Sequence, residues 1–142
     1  MSWRRFTAAA ALLGAAAAAS ALLLGGTGRA DASGLPACAH PQGHATLPSA
    51  LARFPLPAGT VLDRKQSKYG YAIYSGYVPG ALDPVRDFFV GRLPAAGFTP
   101  GAGDAESAEA EAAYSGHGVH GRWKLHALFG CPGALTVQIA VR

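Results

Sequence analysis

The feature that most constrains this chain is an uncharged run close to its N-terminus. Two arginines at positions 4 and 5 precede it, and residues 6–24 carry no charge and are mostly Ala and Leu. Small side chains at Ala30 and Ala32 then occupy the two positions that a signal peptidase reads. We therefore predict a signal helix within a signal peptide of residues 1–32. The rest of the protein is expected to be secreted or held in the extracytoplasmic cell envelope.

Two other forms of export fit parts of the same segment. An uncleaved membrane anchor is one alternative, because the run is nearly long enough to span a bilayer. Ala and Gly enter membranes less readily than Leu or Ile, however, which favours cleavage. A lipoprotein with its lipid on Cys38 is the other, although Pro36 fits poorly in the preceding motif. Cleavage is the favoured interpretation, and it leaves no membrane span in the exported part.

The size and charge of the exported part limit its class. Residues 33–142 are enough for one domain with its own hydrophobic core. The full chain has 12 basic and 8 acidic residues, but three arginines and Asp31 precede Ser33, so the exported part has a net charge of +2. Nucleic-acid-binding domains carry a much stronger basic excess. The charge therefore argues against nucleic acid as a partner.

Two cysteines, Cys38 and Cys131, fall in the exported part. In an oxidising compartment such a pair predicts one disulfide, which would tie the N-terminal segment to the last hairpin. The chain-entropy model gives about 4–5 kcal/mol of stabilisation for a loop of this length. No C-x-x-C motif is present, so a structural role is favoured over a redox role.

Prolines divide the exported part into a lead-in and a domain. Five of them fall within residues 33–58, where we expect ordered coil with one short helix. Residues 59–142 are predicted to form the domain. Its first two strands are expected at residues 60–65 and 69–78, which are rich in β-formers.

The clearest predicted helix follows these two strands. Asp83 is expected to cap it, and Pro84 stands at the favoured first position. An apolar stripe at helical spacing comes next: Val85, Phe88, Phe89 and Leu93. Pro94 and then Gly97 predict the end of the helix.

The strongest strand signals lie near the C-terminus. Residues 119–129 and 135–141 alternate apolar and polar side chains, which predicts a hairpin with a basic outer face. Residues 112–115 predict a shorter strand, and the small, acidic residues before them are expected to be a solvated loop or outer strand face. The fold class is therefore α+β: an antiparallel sheet of four to five strands with one main helix packed on one face, in the order β-β-α-β-β-β.

Four short motifs fall at turns and core positions along most of the exported part. They are Leu56-Pro57-Ala58-Gly59-Thr60, Gly76-Tyr77-Val78-Pro79-Gly80, Leu93-Pro94-Ala95-Ala96-Gly97-Phe98 and Gly121-Arg122-Trp123. In these motifs the chain resembles a loose group of small secreted proteins of unknown function from GC-rich, actinobacterial-type genomes. The resemblance implies a shared fold and brings no activity with it.

Four tyrosines, at positions 69, 71, 74 and 77, lie in the second predicted strand and would together form a platform. Tyr71, Tyr74 and Tyr77 are the candidate ligand-binding residues, since exposed rings would form a stacking platform for a sugar, a peptide or a flat ligand. Strands also favour aromatic residues for packing alone, and packing is the favoured interpretation. The alternation of side chains along the strand places Tyr74 on one face and Tyr71 and Tyr77 on the other. It does not indicate which face is buried.

Histidines give the one indication of a metal site in the sequence. His117 and His120 bracket a predicted turn and are the candidate ligands for zinc, copper or nickel, with His40 and His44 as further ligands. Exposed surface histidines are the favoured interpretation, because a histidine motif defined by composition alone is weak evidence. The acidic run before the turn lacks the calcium-binding pattern of an EF-hand.

Catalytic motifs are missing from the sequence. It has no G-x-S-x-G, H-E-x-x-H or G-x-x-x-x-G-K segment. We therefore expect a non-enzymatic exported domain without a cofactor, acting as a binding or accessory module at the cell envelope. The expected partner is an envelope polymer or a protein. The alternative is a secreted metal-binding protein or metalloenzyme that uses the surface histidines.

Overall fold

The computed structural model describes residues 33–142. The predicted signal helix lies outside the described residues. No helix in the described part of the chain is long and apolar enough to cross a bilayer. The lead-in contains a short 3-10 helix, Ser49–Leu51.

Six strands and one α-helix form the body of residues 33–142. The strands are β1 (Val61–Lys68), β2 (Tyr71–Pro79), β3 (Thr99–Ala105), β4 (Glu109–Gly116), β5 (Val119–Ala127) and β6 (Ala134–Val141), and α1 (Leu82–Ala95) follows β2. The strands pair into one antiparallel sheet in the order β1-β2-β6-β5-β4-β3. The predicted α+β class, with a helix on an antiparallel sheet, is confirmed.

The predicted count of four to five strands is wrong, because the sheet has six. The missing strand is β3, in a segment of small residues for which the sequence predicts no complete strand. All of its residues are exposed, so no apolar alternation marks it. Backbone pairing with β4, from Thr99 opposite Ser115 to Ala105 opposite Ala110, holds it at the edge of the sheet.

The start of α1 differs from the prediction in its capping residue. The N-cap is Ala81, which makes no side-chain capping bond, so the expectation that Asp83 caps the helix is wrong. Asp83 instead lies in the first turn, where the helix dipole favours a negative charge. Its carboxylate pairs with Arg86 at 2.9 Å.

The end of α1 is a Schellman motif built on Gly97. The Gly97 N–H donates to the carbonyl of Pro94 and the Phe98 N–H donates to that of Leu93, both at 3.0 Å. Gly97 has a φ of +86°, which glycine adopts without the steric cost that a Cβ brings. The motif satisfies carbonyls at the helix end and directs the chain into β3.

The hydrophobic core lies between α1 and one side of the sheet, which we call the core face. Phe89 of α1 stacks on Trp123 of β5, with ring centroids 5.1 Å apart and an interplanar angle of 16°. The fully buried aliphatic side chains of this cluster are Val78, Leu93, Leu125, Val137 and Ile139. Phe54 of the lead-in contacts the ring of Phe89 and, beside it, that of Tyr114. The lead-in therefore extends the cover that α1 provides.

The other side of the sheet, which we call the open face, is covered at one end only. The Cys38–Cys131 disulfide joins the lead-in to the turn between β5 and β6, as the cysteine pair predicts. A second small cluster surrounds it, in which Leu35 and Ala134 are buried and Tyr77 packs against them. The lead-in thus covers the end of the open face where β2 finishes.

Replacing Gly91 or Gly97 by alanine should change the free energy of unfolding in opposite directions. We expect Gly97→Ala to lower the free energy of unfolding by about 1–2 kcal/mol, because an L-residue at positive φ is strained. The added Cβ would also lie 2.8 Å from His117 Nε2. Gly91→Ala, where a Cβ meets nothing within 4 Å, should raise that free energy by about 0.5–1 kcal/mol. Urea denaturation followed by Trp123 fluorescence measures both, and effects of the same sign would contradict the assignment.

The disulfide gives a second stability prediction. Replacing Cys38 and Cys131 together by serine should lower the free energy of unfolding by about 2–5 kcal/mol, because the unfolded chain then regains the freedom of a 93-residue loop. The measurement is a urea titration of the double variant beside the wild type. Reduction of the wild type with a thiol is the control and should give a similar loss. An unchanged urea midpoint would show that the link adds nothing to the fold.

Candidate functional site

The alternation of β2 decides which of its tyrosines reach the surface. Tyr71, Ile73 and Tyr77 lie on the open face and are half-buried, whereas Tyr74 lies on the core face with 2% of its surface exposed. Tyr77 packs against the cluster around the disulfide. Of the three candidate tyrosines, Tyr71 alone lines the groove described next, and the ring of Tyr74 is unavailable to a ligand.

The uncovered end of the open face holds a groove of about 690 Å³, which we call the open-face groove. Ile73, Ala140, Arg122 and Ala113 stand opposite one another in register across β2, β6, β5 and β4. Directly opposed residues share one face of a sheet, so Ile73, Ala140 and Ala113 form an apolar floor, and Arg122 extends from the same row to the rim. The walls come from the β1–β2 turn at one end and from the start of β3 at the other.

The ionisable side chains at the mouth of the groove are basic or are histidine. Lys68, His120 and Arg122 line it, and no acidic side chain of residues 33–142 does. The guanidinium of Arg142 lies 4.6 Å from the centre of the Tyr71 ring. Its Nε donates to His120 Nε2 at 2.7 Å. The groove therefore combines an apolar floor with a positive rim.

A cross-strand ion-pair network lies beside the groove, between β4 and β5. Glu111 accepts a hydrogen bond from Arg122, and Glu109 accepts one from Lys124 at 2.7 Å. The bond from Lys124 to Glu109 raises the pKa of that lysine. The acidic run of the sequence is thus partly a strand whose carboxylates pair with the basic face of β5. Lys68 and Arg142 pair with no acid in the described part of the chain.

The candidate metal ligands do not converge. His117 Nε2 lies 2.9 Å from the carbonyl oxygen of Ala96, and its ring packs edge-on against Phe98. His120 is held by Arg142 at the groove. His40 and His44 belong to the lead-in. Across residues 33–142, no group of three or more His, Cys, Asp or Glu side chains is placed to hold a metal ion.

One pair of groove residues resembles the start of a catalytic arrangement. Ser115 and His120 stand directly opposite each other on β4 and β5, and both line the groove. A serine nucleophile needs a hydrogen bond to its base, and the base needs a third group that orients it. No hydrogen bond joins these two side chains, and His120 Nε2 is engaged by Arg142. The arrangement offers binding surface and no formed nucleophile–base pair.

A second cleft, of about 380 Å³, lies between α1 and the β3–β4 edge. Val90, Leu93 and Trp123 line it, and the indole Nε1 of Trp123 is buried without a hydrogen-bond acceptor. The sequence alone gives no signal for this cleft, because it depends on where β3 passes relative to the helix. It lies on the core side of the sheet and shares Pro100 and Gly101 of β3 with the lining of the open-face groove.

The phenol of Tyr114, which lies between core and groove, makes stability dependent on pH. Burial raises its pKa above the usual value of about 10. The unfolded state therefore loses this proton first as pH rises, so the stability that the neutral phenol contributes is complete below about pH 10 and is lost above it. We expect a slope of up to about 1.4 kcal/mol per pH unit from this group, measured as urea midpoints between about pH 9 and 11.

Tyr114→Phe should flatten that alkaline slope. The variant also loses the hydrogen bond that the phenol donates to the Ala140 carbonyl at 2.8 Å, so its stability near neutral pH should fall by about 1 kcal/mol. Tyr77→Phe, the same change on the open face, is the matched control. Equal alkaline slopes in the wild type and Tyr114→Phe would contradict the assignment.

Comparison with known proteins leaves the site to be interpreted from its own geometry. No protein family, curated protein or solved structure matches this chain. The open-face groove joins apolar surface to the unpaired charge of Lys68, and it is our candidate functional site.

Proposed function

We propose that this chain is an exported, non-enzymatic binding module of the cell envelope whose ligand is a small amphipathic anion held in the open-face groove. The observation that carries the proposal is the composition of the groove. Its floor is apolar, and its ionisable rim is basic or histidine.

The size and floor of the groove favour a small ligand with an apolar body. Pockets for small molecules have volumes of about 300–1,000 Å³ and are lined mainly by apolar side chains with a few polar groups. The open-face groove, at about 690 Å³, falls within that range. Ile73, Ala113 and Ala140 would contact the apolar part of the ligand. This floor favours an amphipathic molecule over a uniformly charged polymer.

The rim favours an anionic group on the ligand. Lys68 and Arg142 have no carboxylate partner among the described residues, so a ligand anion would not need to displace one. Arg122 already pairs with Glu111, so its charge is less available to a ligand anion. Burying an anion beside the unpaired Lys68 replaces part of the hydration that the anion loses, which makes the charge a source of selectivity.

The direct test uses two dyes that differ in charge. 1-Anilinonaphthalene-8-sulfonate has an apolar ring system and a sulfonate, and 1-N-phenylnaphthylamine is its neutral counterpart. We expect the anionic dye to bind with a Kd at least about fivefold lower, a difference of about 1 kcal/mol, measured by fluorescence titration at low salt. High salt should reduce that difference. Equal affinities would contradict an anion site.

Two lysines of β1 provide a matched pair of variants. Lys68→Glu reverses a charge at the groove and should weaken binding of the anionic dye by about threefold or more, while leaving the neutral dye unaffected. Lys65→Glu makes the same change in net charge on the same strand at a residue that does not line the groove. It should bind both dyes as the wild type does. Equal loss in both variants would indicate a nonspecific effect of net charge.

A further inference from the structure

Two hairpin turns at the groove end of the sheet share an unusual backbone. Tyr69-Gly70 joins β1 to β2, with φ angles of +53° and +77°, and His117-Gly118 joins β4 to β5, with φ angles of +50° and +77°. In each case the flanking residues pair directly, so each loop has two residues. Two-residue loops with positive φ at both positions are type I′ turns, for which Asn-Gly is a preferred sequence.

Positive φ is costly for a residue as bulky as tyrosine. The left-handed region brings Cβ close to the following carbonyl oxygen, and asparagine, aspartate and histidine tolerate it better than other non-glycine residues. A residue that persists in such a conformation needs compensation from its surroundings or from its function. The two turns allow these explanations to be compared at the same backbone geometry.

His117 is explained by contacts within the domain. Its Nε2 lies 2.9 Å from the Ala96 carbonyl oxygen at the end of α1. Its ring packs against that of Phe98, with centroids 4.8 Å apart. These contacts tie the β4–β5 turn to the helix terminus. The side chain therefore contributes to the fold that holds it in an unfavourable conformation.

Tyr69 has no comparable contacts. Its side chain is 85% exposed, and its ring contact is with the neighbouring Lys68, whose Nζ lies 5.0 Å from the ring centre. Both residues line the open-face groove. An exposed aromatic ring in a costly backbone conformation, beside an unpaired cation at the mouth of a groove, has no role in the packing of the domain.

We infer that Tyr69 is a ligand-contacting residue whose ring packs against the apolar part of the bound anion while Lys68 faces its charge. The inference rests on the proposed function of the groove and adds a specific residue to it. The Tyr69-Gly70 turn then carries tyrosine, where asparagine would be more stable, because the ring is needed at the groove. Binding and stability should respond in opposite directions to its replacement.

The test is the variant Tyr69→Asn, with 1-anilinonaphthalene-8-sulfonate as the probe. Its affinity should fall by about three- to tenfold, the usual effect of losing one aromatic contact. Its melting temperature should rise by roughly 3–6 °C, because asparagine suits the type I′ turn. Tyr69→Phe keeps the ring and should keep the affinity.

Two control variants separate the inference from general effects. Phe129→Asn removes a fully exposed aromatic ring from the β5–β6 turn at the other end of the sheet, and should leave dye binding unchanged. His117→Asn places asparagine at the matching position of the other turn, where it loses the contacts to Ala96 and Phe98. It should therefore melt no higher than the wild type.

Each contrary result has its own meaning. If the wild type binds the dye and Tyr69→Asn binds it equally well, the ligand role of Tyr69 is wrong and the groove proposal stands. If Tyr69→Asn melts no higher than the wild type, the premise that tyrosine is held there at a cost is wrong, and the inference fails. If the wild type does not bind the dye at all, the proposed function fails and the role of Tyr69 fails with it.

Discussion

A six-stranded sheet has two faces, and residues 33–142 provide one α-helix to cover them. The stack of Phe89 on Trp123 fixes that helix over the centre of the core face, and the aliphatic side chains of β5 and β6 fill the space around it. Every apolar residue that points the other way has to be covered by something else or left in contact with water. The remaining features of the domain follow from how the chain treats this second face.

The open face has three kinds of surface along its length. At the end nearest the disulfide, the lead-in covers it with a small apolar cluster. In the middle, Lys124 and its carboxylate partners of β4 form a charged surface that tolerates solvent. At the far end, neither the lead-in nor the ion pairs of Lys124 cover the sheet, and the apolar floor at Ile73 and Ala140 stays accessible. The groove is the part of the sheet that the fold leaves uncovered.

Each edge of the sheet carries features that oppose pairing with another strand. On the β3 side, Pro100 has no N–H to donate, and the Ala105 N–H is satisfied by the Asp104 carboxylate at 2.8 Å. On the β1 side, the lead-in donates from Ala45 to the Leu62 carbonyl at 2.8 Å. Such protection is how natural sheets avoid strand addition. These features agree with the proposed function, in which a ligand contacts side chains of the open face.

Much of the fold was predictable from local pattern. Alternation in β5 and β6, the helical stripe through Phe89 and the pair of cysteines each depend on residues close in sequence or on simple chemistry. β3 was not predictable, because a strand of exposed small residues shows no hydrophobic periodicity. It forms a strand because its backbone pairs with β4. The tyrosine-rich β2 was predicted as a strand, but its two faces carry similar bulk, so the burial of Tyr74 required the sheet.

The candidate site was less predictable than the fold for a related reason. Lys68 of β1 and His120 of β5 are far apart in sequence and lie on strands that are not neighbours, and only the register of β1, β2, β6 and β5 brings them to one groove. The tyrosine platform predicted for β2 includes Tyr71, which lines the groove. The tyrosine with the greatest exposure is in the turn just before β2, where a positive φ, invisible in the sequence, sets Tyr69 apart.

The groove exists because the side chains at its floor are small. Strand positions in the interior of a sheet favour branched and aromatic residues, yet alanine occupies both Ala113 and Ala140 in the row that crosses the floor. Larger residues at these two positions would fill the groove and bury more apolar area, which would stabilise the domain. Alanine at the floor and tyrosine at a strained turn each reduce stability at the same place, beside the unpaired Lys68. The proposed function predicts this coincidence at one end of one face, because a ligand would contact all three features.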